Sequence, residues 1–341
     1  MAERFLDLGR DERAEILQVL AVQLGRTPVV LEKDVWVCWT LAHLFTISGR
    51  QPMAFKGGTS LSKVYGAIAR FSEDLDITLD CRALVPPFDP FSTRATTSSR
   101  KRHRERLEGA MAKHVREVVE PALQAALREQ FQGACQVELE RNAEKLWIHY
   151  ESSLPPAIGY VQRNVLIEFG GVNSLAPSEP KNIAPYLAGA VPSLDFPVAR
   201  VEVLLPERTF WEKATLIHAE CSRGELKPSK ERLSRHWYDL ARLAEHEIGR
   251  RALADRALLD DVVKHKTVFY AAKHADYGAC LDGRLHLIPG PMMAASLRSD
   301  LEEMVAHGMF EDQPPPFDEI LERLRHLELA INGDAGPGKG T

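Results

Sequence analysis

The chain has 341 residues, 45% of them hydrophobic and 27% charged, with a formal net charge of -5. That composition excludes a collagen-like or wholly disordered chain and a uniformly basic nucleic-acid coat, and the length suits two or three lobes rather than one core. Local basic patches stay compatible with the net charge, because partners respond to the local field.

Apolar residues Ile16, Leu17, Leu20 and Leu24 recur at helical spacing after Asp11, a plausible N-cap. Thr27-Pro28 interrupts the pattern, and a second helix is predicted over 31–45, with Val35, Trp39, Ala42 and Phe45 on its apolar side. A short strand over 52–55 leads into Gly57-Gly58-Thr59-Ser60, and a helix is expected from Ser60 to about Ile68. A second strand runs from Asp74 to Leu79.

Residues 82–98, rich in Pro, Ser and Thr, read as a loop, and 99–131 as a long charged helix. Strands are predicted over 135–140, 145–150 and 161–169. The stretch 174–206 holds six prolines and little periodicity and reads as a connector. From Thr209 the pattern is helical to about residue 330.

The expected fold is therefore α+β: a small mixed sheet with N-terminal helices and a helical C-terminal lobe. The expected division is 1–50 as a helical segment, 51–206 as the core, 207–330 as the helical lobe and 331–341 as a disordered tail.

Five cysteines, none in a CxxC pair, point to buried free thiols rather than disulfides or a zinc knuckle. Neither an N-terminal apolar h-region nor a run of about 18 apolar residues is present, so the expectation is a cytoplasmic protein with no membrane partner. No histidine pair has metal-ligand spacing, and no Ser-His-Asp or Cys-His signature stands out.

The informative stretch is Phe55-Lys-Gly-Gly-Thr-Ser-Leu-Ser-Lys63 followed by Arg70-Phe-Ser-Glu-Asp-Leu-Asp-Ile77. Asp74 and Asp76 are two apart on a strand and share a face, with Cα atoms about 6.6 Å apart at a rise of roughly 3.3 Å per residue. Two such carboxylates can converge on divalent ions, which activate an attacking oxygen and stabilise a leaving pyrophosphate. Glu73 has the opposite parity, and Asp80 lies roughly 13 Å further along by the same rise. Both are left out of the site.

Gly57 and Gly58 permit positive φ and a close phosphate approach, and Thr59 and Ser60 add hydroxyl donors at the start of a helix. This is not a Walker loop, because Ser62 rather than glycine precedes Lys63, and GxGxxG is absent. Ser72 shares the parity of Asp74, so its hydroxyl is expected to open into the same site. Arg70 either contacts a phosphate or pairs with Glu73 or Asp74.

At these residues the chain resembles nucleotidyltransferases of the DNA-polymerase-β-like superfamily, and within it the AbiEii/AbiGii toxin family. GGTSLSK…RFSEDLDI is close to that family's first motif. Leu31-Glu-Lys-Asp-Val-Trp36, Arg208-Thr-Phe-Trp-Glu-Lys-Ala-Thr215 and Ser234-Arg-His-Trp-Tyr-Asp239 resemble three further segments, so the resemblance spans roughly 30–245. Two departures stand out: 15 residues separate Gly58 from Asp74, longer than the common spacing, and His236 stands where some relatives carry an acidic residue.

The resemblance implies the toxin half of a toxin–antitoxin or phage-defence pair, restrained by a cognate antitoxin. It implies transfer of NMP from an NTP to RNA, at the 3′ end of tRNA, with Mg²⁺ or Mn²⁺. Transfer to a protein hydroxyl, or a non-catalytic subunit that only binds a partner, are the alternatives.

It also implies the nucleotide-binding set Gly57, Gly58, Thr59, Ser60, Lys63, Arg70 and Ser72. Glu168, opposite in parity to Val165, Ile167 and Phe169, is a third metal carboxylate or an exposed strand glutamate. Lys213, at the edge of the stripe Phe210, Ala214, Ile217 and Cys221, is a triphosphate contact or a surface lysine. Asp239 either orients Lys213 or the nucleotide, or pairs locally with Arg235 or Arg242. The basic run Arg100-Lys-Arg-His-Arg-Glu-Arg106 is a solvated face or an RNA groove, and Lys227, Lys230, Arg232 and Arg235 form a second basic cluster.

Overall fold

A computed structural model describes residues 2–155, 162–224 and 232–333. The chain divides into two compact units. The first comprises Met1–Val64, Phe71–Pro87 and Arg104–Leu204, and the second Tyr65–Arg70, Phe88–His103 and Leu205–Thr341.

The first unit opens with a two-residue strand β1 (Glu3–Arg4) and helices α1 (Arg10–Leu24) and α2 (Pro28–Leu44). Gly25, with φ of 60°, ends α1 in the left-handed conformation, a common helix stop. Thr27 and Pro28 start α2 rather than merely breaking a pattern: the Thr27 side chain accepts from the Val30 N–H at 3.3 Å, and Pro28 occupies the first turn, where its missing N–H is harmless. Strand β2 (Met53–Lys56) runs straight into the short helix α3 (Gly57–Lys63), earlier and shorter than the expected 60–68. Strand β3 (Leu75–Leu79) follows.

The predicted charged helix is α4 (Thr97–His114) and α5 (Glu120–Phe131), joined by a π-helical turn over Val115–Val119, with Pro121 entering at the first turn of α5. Strands β4 (Gln136–Leu139), β5 (Lys145–His149) and β6 (Asn164–Gly170) come next; Val161, expected to open the last of them, lies outside the described residues.

The expected connector 174–206 instead contains β7 (Ser178–Ile183), the short β8 (Leu194–Asp195) and β9 (Ala199–Leu204). The prolines misled because they sit where the fold tolerates them. Pro180 lies in β7, the outermost strand, and Pro206 starts a helix. Within β9 the alternation Ala199, Val201, Val203 is fully inward.

Seven strands form one mixed sheet in the order β4-β5-β6-β3-β2-β9-β7. β3 is parallel to β6 and β2 to β9, while the other neighbours are antiparallel. Leu75, Ile77, Leu146, Ile148, Val165 and Ile167 are buried on one face, and α2 packs on the sheet with Leu31, Val35, Trp36, Cys38 and Trp39 buried. Trp36 stacks on Tyr150 with centroids 4.8 Å apart and an interplanar angle of 10°.

The second unit is helical: α6 (Pro206–Arg223), α7 (Ser234–Glu245), α8 (Glu247–Ala254), α9 (Arg256–Phe269), α10 (Pro291–Ala306) and α11 (Phe317–Gly333). Its core includes Phe210, Trp211, Ile217, Trp237, Leu240, Leu259, Leu297 and Leu324. The start of α7 is held from α10: Asp300 accepts from Arg232 N, ahead of the helix, and from Ser234 N, each at 2.8 Å, and from Ser234 Oγ at 2.5 Å.

Asn332, read as part of a disordered tail, belongs to α11. Its amide both accepts from Leu285 N and donates to Leu285 O, at 2.9 and 3.0 Å, which ties the helix end down. The rest of the expected tail, 334–341, lies outside the described residues, as do Lys227 and Lys230 of the second basic cluster. All five cysteines are free and buried. No single helix among the described residues is long and apolar enough to cross a membrane.

Trp36→Ala removes a fully buried indole from the contact between α2 and the sheet. It is expected to lower unfolding stability by about 3–5 kcal/mol in urea denaturation. An unchanged midpoint would contradict this packing.

Candidate active site: an acidic row and a buried lysine–aspartate cluster

Strand register assembles the first group. Lys56 on β2 pairs with Asp76 on β3, Asp76 with Glu168 on β6, and Glu168 with Lys145 on β5. Four charges thus stand in one row across four strands, in the order plus, minus, minus, plus. Neighbouring strands lie about 4.7–4.9 Å apart, so the row is close-set. Asp74 stands two residues before Asp76, just ahead of β3. Both aspartates are half-buried while Leu75 and Ile77 between and beyond them are buried, which places the acids on the face opposite the core.

Two like charges side by side in a sheet repel. Part of that repulsion is met by Lys145, whose Nζ lies 3.1 Å from Glu168 Oε1; the hydrogen bond to Glu168 raises the Lys145 pKa. Among the described residues, no three histidine, cysteine or carboxylate side chains are drawn together as a ready-made metal cluster. The donor chemistry nevertheless suits a hard divalent cation. Asp74, Asp76 and Glu168 offer only carboxylate oxygens, and a cation would relieve the Asp76–Glu168 repulsion.

Gly57 is required beside this row. Its φ is 81°, and a Cβ there would overlap the Asp76 carboxylate. Gly58 is buried in the first turn of α3.

The hydroxyls after the glycines turn inward. Thr59 Oγ1 donates to the Asp74 carbonyl at 2.6 Å, with Ser72 Oγ 3.0 Å away, and Ser60 Oγ donates to Gly57 O at 2.9 Å. Lys63 pairs with Asp34 of α2, and its side chain is 3% exposed. Burial alone would depress the Lys63 ammonium, but the Asp34 carboxylate and the nearby Cys38 and Tyr186 outweigh it and raise its pKa. The Thr59 and Ser60 hydroxyls and the Lys63–Asp34 pair therefore help to hold the glycine turn and the acidic segment in place. Ser72 stays half-buried, next to Thr59.

The second group lies in the helical unit. Asp239 is fully buried. Its oxygens accept from Arg70 Nε at 2.6 Å and Arg70 Nη2 at 2.7 Å, and Lys213 Nζ lies 2.9 Å from Oδ2. Arg70 thus forms a bidentate pair with Asp239, a partner that its place before the acidic segment does not suggest. Lys213 is buried, so it is not a surface lysine, and its Nζ is also 3.4 Å from His236 Nδ1.

Burial by itself would raise the Asp239 carboxyl, but the charges of Arg70 and Lys213 outweigh it and hold the pKa well below the usual range. Loss of hydration, with Lys213 and Arg235 adding to it, keeps the His236 pKa far below its ordinary value, so the ring is neutral at neutral pH.

Sequence reasoning named Lys213 beside Asp239 but missed Lys56, Lys145 and the pairing of Arg70 with Asp239. The parity of Lys145, opposite to buried Leu146 and Ile148, was legible; the register that sets it beside Glu168 was not.

Gly57→Ala must strain a left-handed backbone and displace the Asp76 carboxylate. It is expected to cost about 1–3 kcal/mol of stability by thermal denaturation, and a melting curve matching the native protein would refute the close approach. Asp239→Asn should destabilise by about 3–5 kcal/mol at neutral pH, because two buried cations lose their carboxylate. A depressed folded-state pKa contributes stability that is fully present above the unfolded value, near 3.9, and is lost as pH falls toward the folded value. The gap between native and variant stability should therefore hold from neutral pH down to about 5 and shrink below about 4. A gap independent of pH down to about 2 would contradict a charged Asp239.

A family model described as nucleotidyl transferase AbiEii toxin, type IV toxin–antitoxin system, matches residues 39–323. No curated protein matches the chain. Among solved structures, the nucleotidyltransferase toxin MenT4 (Rv2826c) of Mycobacterium tuberculosis H37Rv is similar, with 18% identity and a TM-score of 0.45, over 96% of this chain and 99% of that one. With far more than half of its length matched, the chain belongs to the AbiEii family of nucleotidyltransferase toxins, the toxin side of type IV toxin–antitoxin systems.

Proposed function

We propose that this toxin transfers a nucleoside monophosphate from an NTP to RNA, at the 3′ end of tRNA, with Mg²⁺ or Mn²⁺ held by Asp74, Asp76 and Glu168. The observation that carries the proposal is the row in which Asp76 and Glu168 sit side by side, with Asp74 two residues away and a glycine turn against Asp76. Bound there, divalent ions would supply charge neutralisation at the triphosphate and lower the pKa of the attacking hydroxyl.

The chain's own residues do the rest. Gly57, having no side chain, leaves room for the Asp76 carboxylate. Thr59 fixes the Asp74 carbonyl and so the start of the acidic segment. Lys213, oriented by Asp239, takes the triphosphate role that family membership suggests, and Arg70 holds Asp239 in turn. The acceptor hydroxyl gives up its proton to solvent and attacks the α-phosphorus, the bond from that phosphorus to the β-phosphate oxygen breaks, and pyrophosphate leaves. The acceptor RNA gains one nucleotide and the NTP loses its outer two phosphates.

Lys101, Arg102 and Arg106 on α4 are exposed and suit phosphate-backbone contacts with RNA. Arg100 and Arg104 of the same run are partly engaged, by Pro90 O at 2.9 Å and Glu108 at 2.7 Å. Disabling tRNA in the cytoplasm would halt translation, which fits a role in phage defence under the control of an antitoxin.

The test is incubation of the protein with each labelled NTP, Mg²⁺ and total RNA, followed by separation of RNA from protein. Label is expected in the tRNA fraction, lost with EDTA and reduced at least about 100-fold by Asp76→Asn, since metal-assisted stabilisation is worth several kcal/mol. Label on protein instead would favour a protein hydroxyl as acceptor, and full activity of Asp76→Asn would remove the acidic row from catalysis.

A further inference from the structure

We infer that Lys33 is a positioning residue for the acidic row: its buried ammonium sets where the two strands bearing Asp76 and Glu168 begin. The inference rests on the metal-holding reading above.

Lys33 lies on α2 with its side chain 2% exposed. Its Nζ donates to Glu73 Oε2 at 2.5 Å and to Gln162 O at 2.9 Å. Glu73 is buried and directly precedes Asp74, with the opposite strand parity, so it points inward while the aspartates point out. Gln162 stands two residues before β6 begins at Asn164. β3 and β6 are parallel neighbours, so they begin at the same end of the sheet. One ammonium, with three donors to share, therefore ties the beginnings of both strands to the same point.

Strand register is what sets Asp76 against Glu168. A slip of one residue would turn either carboxylate to the core face, and a slip of two would carry it about 6.6 Å along the strand. Backbone ladders alone allow such slips wherever apolar alternation continues, and a fixed cation where the strands begin opposes them.

A buried ion pair is often no more stable than well-packed apolar residues of similar size, which leaves a geometric role open to this lysine. The neighbours on either side hold α2 itself. Glu32 accepts from Ser152 Oγ, Ser153 N and Ser153 Oγ at 2.5, 2.6 and 2.6 Å, and Asp34 accepts from Tyr186 N at 2.7 Å and pairs with Lys63. Lys33 is thus presented from a helix that is anchored on both sides of it.

The experiment measures Mn²⁺ affinity by electron paramagnetic resonance, with melting temperature, for the native protein, Asp76→Asn, Glu73→Gln and the double variant Lys33→Met/Glu73→Met. The double variant replaces the ion pair by apolar groups without leaving an orphaned charge. It should melt cooperatively yet bind Mn²⁺ about 10- to 100-fold more weakly, the usual cost of losing a group that orients metal ligands. Glu73→Gln keeps an acceptor for Lys33 and should stay within a few-fold of native affinity. Native affinity in the double variant overturns the inference, and so does a loss in Glu73→Gln as large as the double variant's, whether or not the double variant folds. Absence of any Asp76-dependent Mn²⁺ binding in the native protein overturns the metal-holding reading, and this inference with it.

Discussion

Three consecutive charges on α2, Glu32, Lys33 and Asp34, are all buried. Removing a charge from water costs several kcal/mol unless a partner and hydrogen bonds replace the lost hydration. α2 can therefore enter the interior only if those partners are in place. Successive helix residues point about 100° apart, so three in a row reach in different directions. Here they reach the 152–153 turn, the approach to β3, the end of α3 and Tyr186. A single helical turn thereby ties together the segments that carry the glycine turn and the acidic strands, and the position of each depends on the others.

The helical unit is organised around one carboxylate in a similar way. Asp239 is buried between Arg70 and Lys213, and neither cation could stay buried there at low cost without it. The bidentate geometry fixes the Arg70 guanidinium in a plane, which a single ammonium contact could not do. Neutral His236 beside Lys213 adds no further positive charge to compete for Asp239. In both units, buried charge defines the geometry of a charged cluster.

The parts of this arrangement legible in the sequence were local ones. Strand parity put Asp74 and Asp76 on one face and Glu73 on the other, because alternation is a property of a single strand. The Gly57-Gly58 turn was legible because glycine chemistry is local too. Register was not. Nothing in the run around Lys145 says which strand it will join, so the row from Lys56 to Lys145 emerged only in three dimensions. The pair between Arg70 and Asp239 spans 169 positions, beyond any periodicity. The place of Thr59, Ser60 and Lys63 beside the glycines marks them as phosphate donors, but no local pattern shows that their side chains also bind the fold itself. In 174–206, proline content hid three strands, two of them in the seven-stranded sheet, since composition cannot tell an edge strand from a connector.

The central claim is that the acidic row holds a divalent cation beside an incoming triphosphate. The most direct measurement is an anomalous difference map from crystals grown with Mn²⁺ and a non-hydrolysable NTP analogue. The account predicts a strong manganese peak within about 2.0–2.6 Å of carboxylate oxygens of Asp74 and Asp76. Manganese bound only elsewhere, with those carboxylates unligated beside a bound nucleotide, would contradict it.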